Sequence, residues 1–508
     1  MKTLIKNGKV FDGTGAPWYR ADVLIENGVI EAVAALNGGI PDGFADTVID
    51  AEGMAVAPGF IDAHSHTDMF CLPDPDGKII QGVTTEIAGM CGLSPVPIEP
   101  FLSKTGLAAD LAIAVGQGKI REKVMGQENR KPTPAELGQM KGMVRESMER
   151  GAVGLSSGLI YAPGIFTDTG ELIELCRVMA EYDGVYVTHI RNEADDLITS
   201  VEEAIKIGRE AGCKVQLSHH KASGRQNHGK VARTLEMMEE ARADGIDVCC
   251  DAYPYIAGSS TIDALLPDWI HEGGMDELLE RLQDKGLRER VKEDLENGIP
   301  GWENICKNSG WEGILVTGAP ENEQFEGKTL LEIAEMTGKG PSDALIDLIL
   351  DEEGAGMFVH FGACEEDNRA VLSHRLTMVG SDGWATPCVP GGSVGKPHPR
   401  CYGTFPRVLG HYCRDLKLFP PETAVWKMTG FPATRYRLND RGFLMAGKKA
   451  DIVIFDPDTI ADDLSYLEPW QPPKGIRYVL KNGDVAVEGK KYLRKKAGRV
   501  LVLRIANN

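Results

Sequence analysis

Hydrophobic positions along the chain fall into two textures. At both ends, short runs alternate apolar with polar residues and break at turns. They read TLIKNGKVFDGTG, ADVLIENGVIEAV and TVIDAEGMAVAPG within residues 1–57, then GFLMAGKKADIVIFDP, IRYVLKNGDVAVEGKKY and RVLVLRIA after 437. Alternation with period two marks half-buried strands. Asn7-Gly8, Asn27-Gly28 and Asn482-Gly483 read as tight turns between such strands. Neither set can bury its faces alone, so residues 1–57 and 438–508 are expected to join in one small β-sandwich or barrel.

Between them, over 58–437, strand runs alternate with amphipathic helices such as TSVEEAIKIGREAG and VARTLEMMEEARADG. The strand candidates are VAPGFIDAH (56–64), GVTTEIAG (82–89), AVGLSSG (152–158), GVYVTHI (184–190), KVQLSHH (214–220), IDVCCDAY (246–253), MFVHF (357–361) and LTMVGSD (376–382). This βα alternation predicts an α/β fold built on a (β/α)8 barrel. An open doubly wound sheet fits less well, because no GxGxxG follows the first strand. The stretch from roughly 265 to 350 is too long for one βα unit, and MDELLERLQDKGLRERVKEDLENG makes its first half charged and helical. It reads as an insertion beside the barrel mouth, either a lid or a surface embellishment.

A length of 508 residues agrees with a barrel carrying additions. The net charge of -20 disfavours nucleic acid and anionic membranes as partners, since both would be repelled. MKTLIKNGKV has no apolar core of signal-peptide length, and no apolar run reaches the roughly 20 residues that span a bilayer. The 11 cysteines are scattered and form no CxxC pair, which points to reduced thiols in a cytoplasmic protein.

Candidate chemistry sits at the ends of the central strands. His64 and His66 close the first run. Residues i and i+2 of a strand share a face, so both imidazoles can reach one ion. His189 ends VYVTHI, His219 ends VQLSHH, and Asp382 ends LTMVGSD. Barrel active sites lie at the C-terminal ends of strands, so these groups would converge there. Each histidine singly could be a hydrogen-bonded strand-end residue; five such positions in this order favour a zinc site. Cys91 lies between Gly89 and Gly92, just past the second strand. A lone cysteine is usually a buried thiol, but this site lacks a shared ligand and Cys91 is the candidate to supply it.

PGFIDAHSHTD resembles the first metal motif of the amidohydrolase superfamily. GVTTEIAGMCGLSPVP, SSGLIYAPGIFTDTGEL, VTHIRNE, VQLSHHKASG, DAYPYIAGSS, VGSDG and HPRCYGTFPRVL narrow the resemblance to the N-acyl-D-amino-acid deacylases, or D-aminoacylases, along nearly the whole chain. The resemblance implies a distorted TIM barrel with a small β-domain from both termini. It also implies zinc held tightly by Cys91, His189 and His219, with His64, His66 and Asp382 forming a second, weaker position. His219 and its neighbour His220 could exchange roles. A bound zinc acidifies water and polarises a carbonyl, leaving Asp382 as general base then acid, as ligand, or as both. Family substrates carry a free carboxylate, for which Tyr161, Lys221 and Arg400 are candidate partners, with Tyr255 of DAYPY as pocket lining or packing. The expected reaction is hydrolysis of a small N-acyl-D-amino acid with a neutral or hydrophobic side chain. The competing readings are a cyclic-amide hydrolase of dihydropyrimidinase or dihydroorotase type, where a bridging lysine would replace Cys91, and a non-catalytic scaffold.

Overall fold

The computed structural model describes residues 2–35, 39–69, 75–393, 395–493 and 496–503. Strands from both ends of the chain form one nine-stranded sheet. Its seam is the antiparallel pairing of Ala55–Pro58 with Ile452–Phe455, and both strands are fully buried. Asn27-Gly28 and Asn482-Gly483 have positive φ at both positions and turn Tyr19–Glu26 into Val29–Ala35 and Ile476–Lys481 into Asp484–Glu488.

Asn7-Gly8 does otherwise. It is a bulge inside the single strand Lys2–Val10, where the pairing register shifts between Ile5 and Gly8. A Cβ on Gly8 would lie 2.4 Å from Val56 Cγ2, so the glycine permits the close approach of the neighbouring strand. The described part of RVLVLRIA, residues 499–503, is not in this sheet. Gly498 and Val500 bridge to Leu107 and Leu111, and its residues 504–506 lie outside the described part.

The central strands run parallel in the order Phe60–Asp62, Val83–Ala88, Asp110–Ile113, then Val115–Gly116, Gly154–Gly158, Val185–His189, Lys214–Leu217, Val248–Ala252 and Thr377–Val379. Asp110–Ile113 and Val115–Gly116 are one path broken at Ala114, whose N–H donates to Ala88. The last strand meets the first: Ala63 N–H donates to Val379 O at 3.2 Å and Asp382 N–H to His64 O at 2.8 Å. Nearly every residue of these strands is buried, because helices such as Leu197–Ala211 cover the outer face.

Two expectations change. DLAIAVG (110–116) is a parallel strand that its sequence concealed, since alanine and glycine make up much of it. MFVHF is not a member of this ladder. Met357–His360 pairs antiparallel with Gly258–Thr261 and Ile314–Gly318 in a separate three-stranded sheet. That sheet and helices from Met275–Gln283 to Pro341–Asp351 enclose an apolar cluster of their own, running from Ile262 to Phe358. Sheet and helices together run over residues 258–360.

Candidate metal centre and cavity

The ends of the parallel strands bring the six candidate ligands together. His64 N–H donates to Asp62 Oδ1 at 3.2 Å, and the same oxygen accepts Ser381 N–H at 2.7 Å. Lys78 Nζ neutralises the other Asp62 oxygen at 2.7 Å. The His64 and Asp382 strand ends are thus pinned by one buried carboxylate. Cys91, His219 and Asp382 all have positive φ, at 53°, 33° and 54°. Such backbone is costly for residues with a Cβ and persists where the surroundings enforce it, commonly at functional sites.

Two groups of donor atoms result, His64/His66/Cys91/Asp382 and Cys91/His189/His219, each with all atoms within 4.8 Å of one another. Cys91 is shared. Its Sγ lies 3.6 Å from His64 Nε2 and 3.8 Å from His219 Nε2. Both ring nitrogens of His189 are buried without a hydrogen-bond partner, as is Nδ1 of His66. Metal ligation would satisfy buried orphans of this kind. The set of sulfur, imidazole and carboxylate donors suits zinc.

The electrostatics point the same way. Burial opposes the Cys91 thiolate, yet the adjacent imidazoles of His189, His219 and His64 overcome it and hold the thiol well below its usual range. Burial keeps His189 below the ordinary imidazole value, hence neutral and able to ligate. Burial also lowers His66, but Asp382 and Cys91 outweigh it and raise the group to about 9. Asp382, although buried, is held far below the carboxylate range by Arg400 and His219. The anionic donors therefore attract positive charge.

Supporting groups lock the candidate ligands. Glu193 accepts at 3.0 Å from His219 Nδ1 and pairs with Lys221 Nζ at 2.6 Å. Asp251 lies 3.3 Å from His64 Nδ1 and accepts His219 N–H at 2.8 Å, so one carboxylate touches both ligand groups. Sequence reasoning passed over both. Asp251 stood legibly at a strand end in DAYPY; Glu193, four residues after His189, gave no signal of its own.

A cavity of about 240 Å³ opens onto the ligands, lined also by Tyr161, Lys221, Tyr253 and Arg400. Arg400 NH1 lies 2.6 Å from Asp382 Oδ2, and Tyr161 Oη accepts from Ser260 Oγ at 3.2 Å. Tyr255 is outside the lining and donates to Asp462 Oδ2 at 3.2 Å; it packs, and Tyr253 takes the cavity position. His220 Nε2 pairs with Thr234 Oγ1 at 2.7 Å and His398 Nε2 with Ala257 O at 3.0 Å, and neither residue belongs to either donor group. The added segment contributes Ser260, Asp263 and Glu303; burial and the adjacent Glu193 raise Glu303 to about 7.

A model of the amidohydrolase family matches residues 47–487. The chain is 36% identical to the D-aminoacylase of Alcaligenes xylosoxydans xylosoxydans, over 98% of this chain and 97% of the relative. It is 35% identical to an N-acyl-D-glutamate deacylase from the same organism, covering 94% and 92%. The structure of an N-acyl-D-glutamate deacylase from Bordetella bronchiseptica, complexed with zinc and a phosphonate inhibitor that mimics the reaction tetrahedral intermediate, superposes with a TM-score of 0.81. It is 32% identical and covers 99% of both chains. With an α/β fold of that kind and matches along nearly its whole length, the chain belongs to the amidohydrolase family, within its N-acyl-D-amino-acid deacylases.

Proposed function

We propose that this protein hydrolyses the amide bond of N-acyl-D-amino acids, releasing a carboxylate and a free D-amino acid, with zinc as cofactor. The observation that carries the reading is the convergence of Cys91, His189 and His219, with neither ring nitrogen of His189 hydrogen-bonded, beside Asp382 on a cavity that also holds two cations. Cys91, His189 and His219 would hold the tight zinc, and His64, His66 and Asp382 the weaker position. Zinc supplies Lewis acidity and a water acidified to a pKa of about 7.

The chain's own groups account for the rest. Asp382 accepts the proton of the attacking water and returns it to the departing nitrogen, work that needs the carboxylate ionised at the start, as Arg400 keeps it. Lys221, Arg400 and the Tyr161 hydroxyl orient the substrate carboxylate. Glu193 fixes the ring of His219 and the head of Lys221 together.

The parallel ladder, with its first and last strands linked, supports a distorted (β/α)8 barrel over about 58–437, and the nine-stranded sheet a separate β-domain of sandwich type from both termini. The added segment would act as a lid. The ten described cysteines are unpaired, which fits a cytoplasmic location; no helix among the described residues is long and apolar enough to cross a membrane. A panel of N-acetyl D- and L-amino acids tests the reading. Hydrolysis confined to the D series is expected, and hydrolysis of the L series alone would overturn it.

A further inference from the structure

The cavity has two unlike walls. On the strand-end wall its cations are already engaged: Lys221 Nζ is 2.6 Å from Glu193 Oε2, and Arg400 NH1 is 2.6 Å from Asp382 Oδ2. The facing wall comes from residues 258–360 and carries two carboxylates, Asp263 and Glu303, beside apolar Ile305, Met357 and Phe358. Among the described residues, no lysine or arginine of that segment lines the cavity. Its two histidines offer little charge, because burial holds His271 below the ordinary value and His360 at about 3.

The carboxylates are built into this wall in different ways. Glu303 is 6% exposed and accepts Glu193 N–H through Oε2 at 2.5 Å, so it is fixed against the ligand-bearing loop. Asp263 has a side chain 22% exposed, with His271 Nδ1 4.0 Å away, beyond hydrogen-bond reach. An acidic substrate side chain entering here would lose water and meet the Asp263 carboxylate and the carboxyl of Glu303, with Lys221 and Arg400 already taken by Glu193, Asp382 and the substrate's own carboxylate. A cationic tip on an aliphatic stem meets the opposite situation: methylenes lie on Ile305, Met357 and Phe358, and the tip pairs with Asp263 and Glu303.

We infer that this wall is the side-chain subsite and that it selects N-acyl-D-amino acids of the lysine and arginine class while rejecting acidic ones. The inference rests on the deacylase reading above. It separates this chain from the N-acyl-D-glutamate deacylases to which it is similar.

The test is kcat/KM of the zinc-loaded enzyme for N-acetyl derivatives of D-Lys, D-Arg, D-Leu and D-Glu. The basic substrates lead, and D-Glu trails by about a hundredfold. Asp263→Asn lowers the D-Lys to D-Glu ratio about tenfold, and Asp263→Lys lowers it further. Because each ratio is taken within one preparation, a misfolded fraction cancels. Turnover led by D-Leu or D-Glu, or a ratio that Asp263→Asn leaves unchanged, overturns the subsite and spares the deacylase reading. No turnover of any D derivative overturns that reading and the subsite with it.

Discussion

Two buried charged clusters in this molecule differ in how they are satisfied. Where the ladder meets the terminal sheet, Asp110, Arg441, Lys481 and Asp451 form a closed network. Arg441 NH1 donates to Asp110 Oδ2 at 2.6 Å, and Lys481 Nζ donates to Asp110 Oδ2 and Asp451 Oδ2 at 2.9 and 2.8 Å. The remaining oxygens accept the backbone N–H groups of Arg499 and Asn482. None of its side-chain polar atoms is orphaned. The ligand cluster is as deeply buried, yet it leaves both nitrogens of His189 and one each of His64 and His66 without hydrogen-bond partners. Burial of charge is common to both, so it does not identify a site; several unmet imidazole nitrogens gathered around one thiol set the ligand cluster apart.

Within the ligand cluster the same contrast recurs on a smaller scale. His64, His66 and Asp382 have one another, Asp251 and Arg400 as partners. His189 has only Glu193 Oε2, 3.9 Å away and beyond hydrogen-bond reach. That asymmetry is the reason we propose the tight zinc for the group containing His189.

The sharpest way to break the comparison is Cys91→Ala, which removes the donor shared by both groups. Zinc content falls to background, and turnover falls by at least about a thousandfold. Zinc retained in full would make Cys91 a buried thiol only. Asp382→Ala lowers kcat by roughly a thousandfold while the first zinc equivalent stays bound, measured by metal analysis beside turnover. Wild-type rates in that variant would remove Asp382 from the chemistry.

Glu193→Gln weakens zinc binding about 10- to 100-fold in a chelator competition, because His219 loses its anionic support. At the structural network, Asp110→Asn costs about 3 kcal/mol of stability in denaturant unfolding, with zinc content unchanged. The sign of its pH dependence follows from Lys481 and Arg441, which overcome burial and hold Asp110 below the usual carboxylate value. That stability is fully present above about pH 4, the unfolded value, and is lost as pH falls through the lower folded one.

The candidate ligands were legible in the sequence because each follows an apolar run, and strand ends of a parallel ladder converge whatever the details of packing. Asp110–Gly116 escaped detection since alanine and glycine carry little strand signal, whereas the β-rich texture of MFVHF fits either of two sheets. Asn7-Gly8 carries the residues of a hairpin turn but lies where Val56 presses on the strand, a fact set by tertiary contact. Tyr253 and Tyr255 are two residues apart, and only the fold separates a cavity residue from a packing one. Glu193 and Asp251 owe their roles to neighbours far along the chain.

The most direct test of the metal-dependent account is stripping the purified protein with a chelator and titrating zinc back while following N-acetyl-D-amino acid hydrolysis. The account predicts an inactive stripped protein whose activity returns with the first equivalent of zinc. Full activity in the stripped protein, or zinc that fails to bind, would contradict it.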